Sequence, residues 1–169
     1  MWTNAVLMLV LAVCVYTDAR SRIIPNKVTF PALGAALVLH LAVNGWPGLL
    51  HSAAGLGVGL SILLVPYLMG GMGAGDVKLL AVVGALKGTG FVLATSVYMA
   101  LVGALMALVI VLVKPGARER LRYVVYLLIC LRYRIKPAFG PLWTSGAYPY
   151  GVAIAGGAVL CLWLKGWGV

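Results

Sequence analysis

The sequence predicts an all-α integral membrane protein, a bundle of about six transmembrane helices, and three observations lead there. The chain of 169 residues is 63% hydrophobic and only 9% charged, with a mean hydropathy of +1.08, whereas a soluble domain carries about 25% charged residues. Apolar runs recur from one end to the other, so little is left for a soluble domain and residues 1–169 read as a single membrane-embedded domain. The net charge of +10 gathers at the ends of those runs, where Lys and Arg orient a membrane protein and favour anionic headgroups. Membrane lipids are the partners this charge implies, and no nucleic acid is expected.

A membrane helix takes about 20 apolar residues, with a range of roughly 17–25. The first run, 1–17, ends at Thr17-Asp18. No basic residue precedes it, so it reads as a retained helix rather than a signal peptide, although Leu11-Ala12-Val13-Cys14 faintly resembles a lipoprotein cleavage box. The polar stretch DARSRIIPNK follows. The second run, 28–44, ends in the turn-like NGWPG, and the third, 49–69, ends at a cluster of glycines. The fourth starts at Val77 and reaches Leu86 before KGTG. Ten residues of helix rise only about 15 Å, half of the hydrocarbon core, so this run is either a half-span or continues to about residue 90. The fifth run is 91–113, the basic segment 114–136 comes next, and the sixth run is 147–165. Inside the basic segment, RERLRYVVYLLICL (118–131) sets apolar residues at 121, 124, 125 and 128 beside arginines. That is the pattern of an amphipathic helix lying in the interface, between the fifth and sixth spans, and it fits equally a helix extension that simply anchors the bundle.

Topology follows from the basic residues. Arg20, Arg22 and Lys27 lie between the first two runs; Lys114, Arg118, Arg120, Arg122, Arg132, Arg134 and Lys136 lie between the last two. The positive-inside rule places both groups in the cytoplasm, which requires the fourth run to cross. The count is then six spans with both termini outside.

The chain holds three acids, Asp18, Asp76 and Glu119. Glu119 stands among arginines, as a surface ion pair would. Asp18 and Asp76 fall at the cytoplasmic ends of different helices. Taken singly, each has a structural reading: Asp18 as a solvated helix end, Asp76 as an N-cap of the fourth helix. As a pair they have a chemical one. Two close carboxylates cannot both ionise easily, so their proton affinities split. One then serves as the base that activates water, the other as the acid that polarises a carbonyl or protonates the leaving amine. No cofactor and no metal is required. The glycines at 70, 71, 73 and 75 clear space beside Asp76 for a substrate backbone. Lys78 lies just inside the helix, snorkelling to the interface or tuning the carboxylate.

Other chemistries are poorly supplied. Cys14, Cys130 and Cys161 form no CxxC pair and sit in apolar surroundings, as buried inert thiols do. His40 and His51 fall toward the outer ends of their runs, as interfacial residues away from both aspartates. No Ser stands in a nucleophile setting and no HExxH occurs.

GGMGAGDVKLL, residues 70–80, resembles the GxGD signature of the type IV prepilin peptidases and archaeal preflagellin peptidases, here Gly73, Gly75, Asp76 and Lys78. Asp18 to Asn26, DARSRIIPN, resembles the family's D-x-R-x-x-x-I-P-N segment, and YPYGVAIA (148–155) is similar to its PYG-containing last helix. A lone GxGD is shared with presenilin-type proteases; three motifs in order across nearly the whole chain are far more specific. The resemblance implies an aspartyl endopeptidase that removes the short basic leader of pilin-like precursors at the cytoplasmic face of the inner membrane, usually after a glycine. Asp18 and Asp76 would be the catalytic pair. Arg20, Pro25 and Asn26 would shape the active-site loop, with Pro25 restricting the chain and Asn26 capping the second helix. Long members of the family also carry two CxxC pairs and N-methylate the new amino terminus. This chain has neither the cysteines nor the room and looks like the minimal form of tight-adherence (Flp-type) or flagellin-like systems, so methyltransferase activity is not expected. The expected partner is a pilin-like precursor, and a homo-oligomer is compatible with the sequence. Two other classes compete: a transporter or channel subunit using the two Asp as a proton or cation relay, and a non-catalytic pilus assembly factor.

Overall fold

The computed structural model describes residues 2–21, 24–113, 126, 129–130 and 150–165. The described elements are five helices: α1 (Trp2–Ser21), α2 (Asn26–Leu68), α3 (Ala74–Lys87), α4 (Thr89–Val113) and α5 (Tyr150–Lys165). Three of them, α1, α2 and α4, are long and apolar enough to cross a membrane, and the chain is an all-helical membrane protein. The chain divides into two compact units, Met1–Gly103 with Pro149–Val169, and Ala104–Tyr148. Apart from the end of α4 and three further residues, the second unit lies outside the described residues, and with it nearly all of the expected amphipathic stretch 118–131.

Most boundaries fall near their expected places; the differences have local causes. α1 runs past Asp18 to Ser21, because nothing in Thr17–Arg20 breaks a helix and the Thr17 and Ser21 hydroxyls bond back to carbonyls of the preceding turn. α2 is one continuous assignment of 43 residues, yet Gly45 inside it has φ 63° and ψ −150°. That positive φ is open to glycine at little cost and breaks the helix into two limbs, 26–44 and 46–68. Their contacts with α3 show that the chain reverses there. In the first limb Asn26 meets Lys78 and His40 meets Leu86, so it runs parallel to α3. In the second, Ser52 bonds Ala85 and Gly59 packs on Leu80 and Ala81, so it runs antiparallel. The turn expected at NGWPG is therefore present, and Pro47 is tolerated because it falls in the first turn of the second limb. By rise the limbs measure about 28 and 34 Å, each close to the thickness of a bilayer core.

α3 has 14 residues, a rise of about 21 Å. It is longer than the ten-residue run from which it was expected but shorter than a full crossing. Val77 and every residue from Leu79 to Leu86 are buried, so the helix is apolar on all sides because it is sheathed on all sides. Between membrane helices the driving force is close packing rather than exclusion of water, and glycines supply it here. Gly55 and Gly84 lie backbone to backbone, each occupying the space a side chain on the other would need. α5 follows the same pattern against α4, with Gly157 seated on Met99 and a Cβ there meeting its backbone nitrogen at 2.6 Å.

The contacts Trp2–His40, Gly59–Leu80, Cys161–Phe91 and Gly151–Asp18 make six helical segments alternate in direction. One end of the first unit carries Asp18, Asn26, Asp76 and Gly151; the other carries Trp2, His40, Leu86 and Gly88. His40 is corrected here. It is 7% exposed, its Nε2 lies 3.2 Å from the Leu86 carbonyl oxygen and the Trp2 ring lies tilted against it with centroids 5.2 Å apart. It is a packed residue, at the end opposite the aspartates as its position required.

Candidate functional site

Asp18 and Asp76 are 6% and 8% exposed, and they come from different helices. Asp18 is carried by the last turn of α1. Its Oδ2 accepts a hydrogen bond from the backbone N–H of Gly151, 3.0 Å away in the first turn of α5. Asp76 is the third residue of α3 rather than its N-cap; the N-cap is Gly73. The Asp76 Oδ2 accepts from the Gly73 N–H at 3.2 Å, so the carboxylate reaches back to close the turn that Gly73 opens.

Asp76 lies in α3, outside the three long apolar helices. Burial pushes its carboxyl up to about 6, the negative charge of Asp18 pushes the same way, and the Gly73 N–H pulls against both. The carboxyls are near enough for the charge of Asp18 to act on Asp76, whose proton is held above the ordinary carboxylate range.

The remaining expected residues divide into those that shape this end and one that does not. Gly75 is where Ile24 rests: a Cβ on it would meet Ile24 Cβ at 2.9 Å. Pro25 is the N-cap of α2, with φ −72° and ψ 129°, and its carbonyl accepts from Val28 and Thr29. Asn26 therefore does not cap α2. Proline takes that position because its missing N–H and fixed φ suit the start of a helix, which leaves the Asn26 side chain free to cross to α3. There its Oδ1 accepts from Lys78 Nζ at 2.9 Å, and the same ammonium stands 5.1 Å from the Phe30 ring centre. Lys78 thus ties α3 to α2, and Ile24 on Gly75 ties the α1–α2 connection to the same turn. Arg20 is directed away: its guanidinium donates to the Tyr16 hydroxyl at 3.0 Å along the exposed side of α1.

Gly151 went unassigned in the sequence. The signal was the PYG stretch at the start of the last helix, but a backbone N–H has no side-chain signature. Among the described residues no three His, Cys, Asp or Glu side chains group to hold a metal, and the three cysteines are buried and free.

The arrangement is two buried carboxyls at one end of a helical bundle, one of them, Asp76, with its proton affinity raised by burial. It can activate a water and protonate a leaving group. The family described as the type IV leader peptidase family matches residues 5–112, a stretch that contains both aspartates. A prepilin leader peptidase/N-methyltransferase of Bacillus subtilis (strain 168) is 34% identical over 102 residues, 59% of this chain and 39% of that protein. The chain therefore spans well under two thirds of that relative's length. No solved structure matches it.

Proposed function

This chain belongs to the type IV leader peptidase family, and from that premise we propose that it is an aspartyl endopeptidase acting on pilin-like precursors, of the Flp type or related. The observation that carries the proposal is the pair itself: two buried aspartates, from α1 and α3, close enough that the charge of one raises the proton affinity of the other. The substrate class rests on the family and on the name of the Bacillus relative.

In the proposed reaction Asp18 is the base and Asp76 the acid. Asp18 takes a proton from water as its oxygen adds to the scissile carbonyl carbon. Asp76 lends its proton to the carbonyl oxygen, giving a tetrahedral gem-diol; the C–N bond then breaks as Asp18 gives the proton it took from water to the leaving amine and a gem-diol hydroxyl returns its proton to Asp76. This needs one carboxyl that holds its proton above the ordinary carboxylate range, and burial raises Asp76 to about 6. The pair operates at the cytoplasmic surface of a multi-pass inner-membrane protein whose six helical segments alternate in direction. The six alternating segments and the cations at the site end, Arg20, Lys27 and Lys78, support that orientation. A relay role in transport gains nothing, because both acids stand at one end of the bundle rather than along a path through it.

The test is cleavage of a Flp-type precursor in membranes, scored by its mobility shift. Wild type cuts; Asp18→Asn and Asp76→Asn, still folded, each lose at least about 10³-fold, as removal of one member of a catalytic unit does. Cleavage persisting in either variant rejects the dyad.

A further inference from the structure

The geometry points to Gly151 as a positioning residue for Asp18, supplied by a helix beyond the residues that carry the family match. The inference rests on the dyad reading above. The matched stretch, 5–112, holds both aspartates, yet the hydrogen bond that the described residues make to Asp18 comes from α5. Its donor is the Gly151 N–H, 3.0 Å from Oδ2. In the first turn of a helix an N–H has no intrahelical acceptor, so this one is free to hold a carboxylate, with the positive end of the helix dipole behind it.

A second observation is independent of the bond. The space beside the Gly151 Cα is already taken by Asp18. A Cβ there would lie 2.7 Å from Oδ2, 3.0 Å from Cγ and 3.2 Å from Cβ of the aspartate. Glycine is therefore the residue that lets α5 come close enough for the bond, and the bond fixes which carboxylate oxygen is occupied. Oδ2 is turned to α5, and in the dyad reading Oδ1 is the oxygen that would act on water. Any side chain at 151 rotates or displaces the base without touching substrate.

The experiment uses the full-length protein in detergent or lipid, with Gly151→Ala, Asp18→Ala, the double variant, and Gly103→Ala as control. A Cβ at Gly103 meets only Ala153 Cβ, at 3.9 Å. Gly151→Ala lowers kcat by about 100-fold with KM changed less than about twofold, the scale of a misplacement of about 1 Å, while Gly103→Ala cuts like wild type. Alanine normally stabilises a helix relative to glycine. Here it lowers the melting temperature when Asp18 is present, and that loss disappears in the Asp18→Ala background. If Gly151→Ala is too unstable to purify, recovery of folded protein in the double variant carries the same meaning. A wild-type kcat for Gly151→Ala, or an equal melting loss in both backgrounds, overturns the inference. A wild-type protein that cleaves no precursor instead overturns the dyad reading on which it rests, and the two failures are thus distinct.

Discussion

At the scale of single residues, burial sets the behaviour of one carboxyl of the pair, Asp76. Asp76 is pushed up to about 6, chiefly by burial. A raised pKa means that the proton stays on through the mildly acidic range and is lost as pH climbs past that value. If Asp76 is the acid, cleavage falls as pH rises through about 6, approaching a tenfold loss per unit above it. Initial rates on one precursor between pH 5 and 8 check this; a rate that rises across that range assigns the acid elsewhere. The two aspartates were legible in the sequence because acids are so scarce in this chain. Their partners were less so. Asn26 reads as a cap until proline is seen to hold the N-cap of α2, and its bond to Lys78 spans 52 positions, a separation no local pattern encodes. Gly151 acts through its N–H and through an absent Cβ, and neither leaves a mark on composition.

At the scale of elements, α3 is the part whose placement matters most, because Asp76 is in its first turn and its own 14 residues give it little autonomy. Its position is set by Gly55 and Gly84, where the two backbones touch. Gly84→Ala or Gly55→Ala pushes the helices apart, since the obstructing atoms are backbone and cannot rotate away. The expected outcome is a destabilisation of about 1–3 kcal/mol, the range of overpacking in a tight core, together with loss of cleavage. Gly57→Ala, on the same limb with nothing within 4 Å of its Cβ, leaves both intact. Melting temperature and precursor cleavage measured on the three variants check the contrast; equal behaviour removes the glycine contact as the determinant. The sequence showed a glycine-rich membrane chain but not which glycines touch, because that depends on register between segments about 30 residues apart. The same limit applied to His40. Near the end of its run it reads as interfacial, and only the arrival of Trp2 and the Leu86 carbonyl buries it.

At the scale of the whole molecule, hydropathy carried far. The apolar runs became helices, the NGWPG turn became a reversal at Gly45, and two acids assigned to one depth fell at one end of the bundle. This works in membranes because a crossing chain must satisfy its backbone internally, so an apolar run of the right length has few alternatives to a helix. The pattern could not define the basic stretch 114–136, whose charges allow both an interfacial helix and an extension of the bundle. The alternation of segments makes a prediction that needs no substrate. Asn44, exposed at the reversal, and Ala74, exposed at the start of α3, belong to opposite ends. With the three native cysteines replaced by alanine, Asn44→Cys reacts with an impermeant maleimide on intact spheroplasts, whereas Ala74→Cys reacts only after the membrane is opened. Labelling of both from the same side breaks the up-and-down order. Labelling with the sides exchanged keeps the order but puts Asp18 and Asp76 outside, where a peptidase with this pair could not meet a precursor before export.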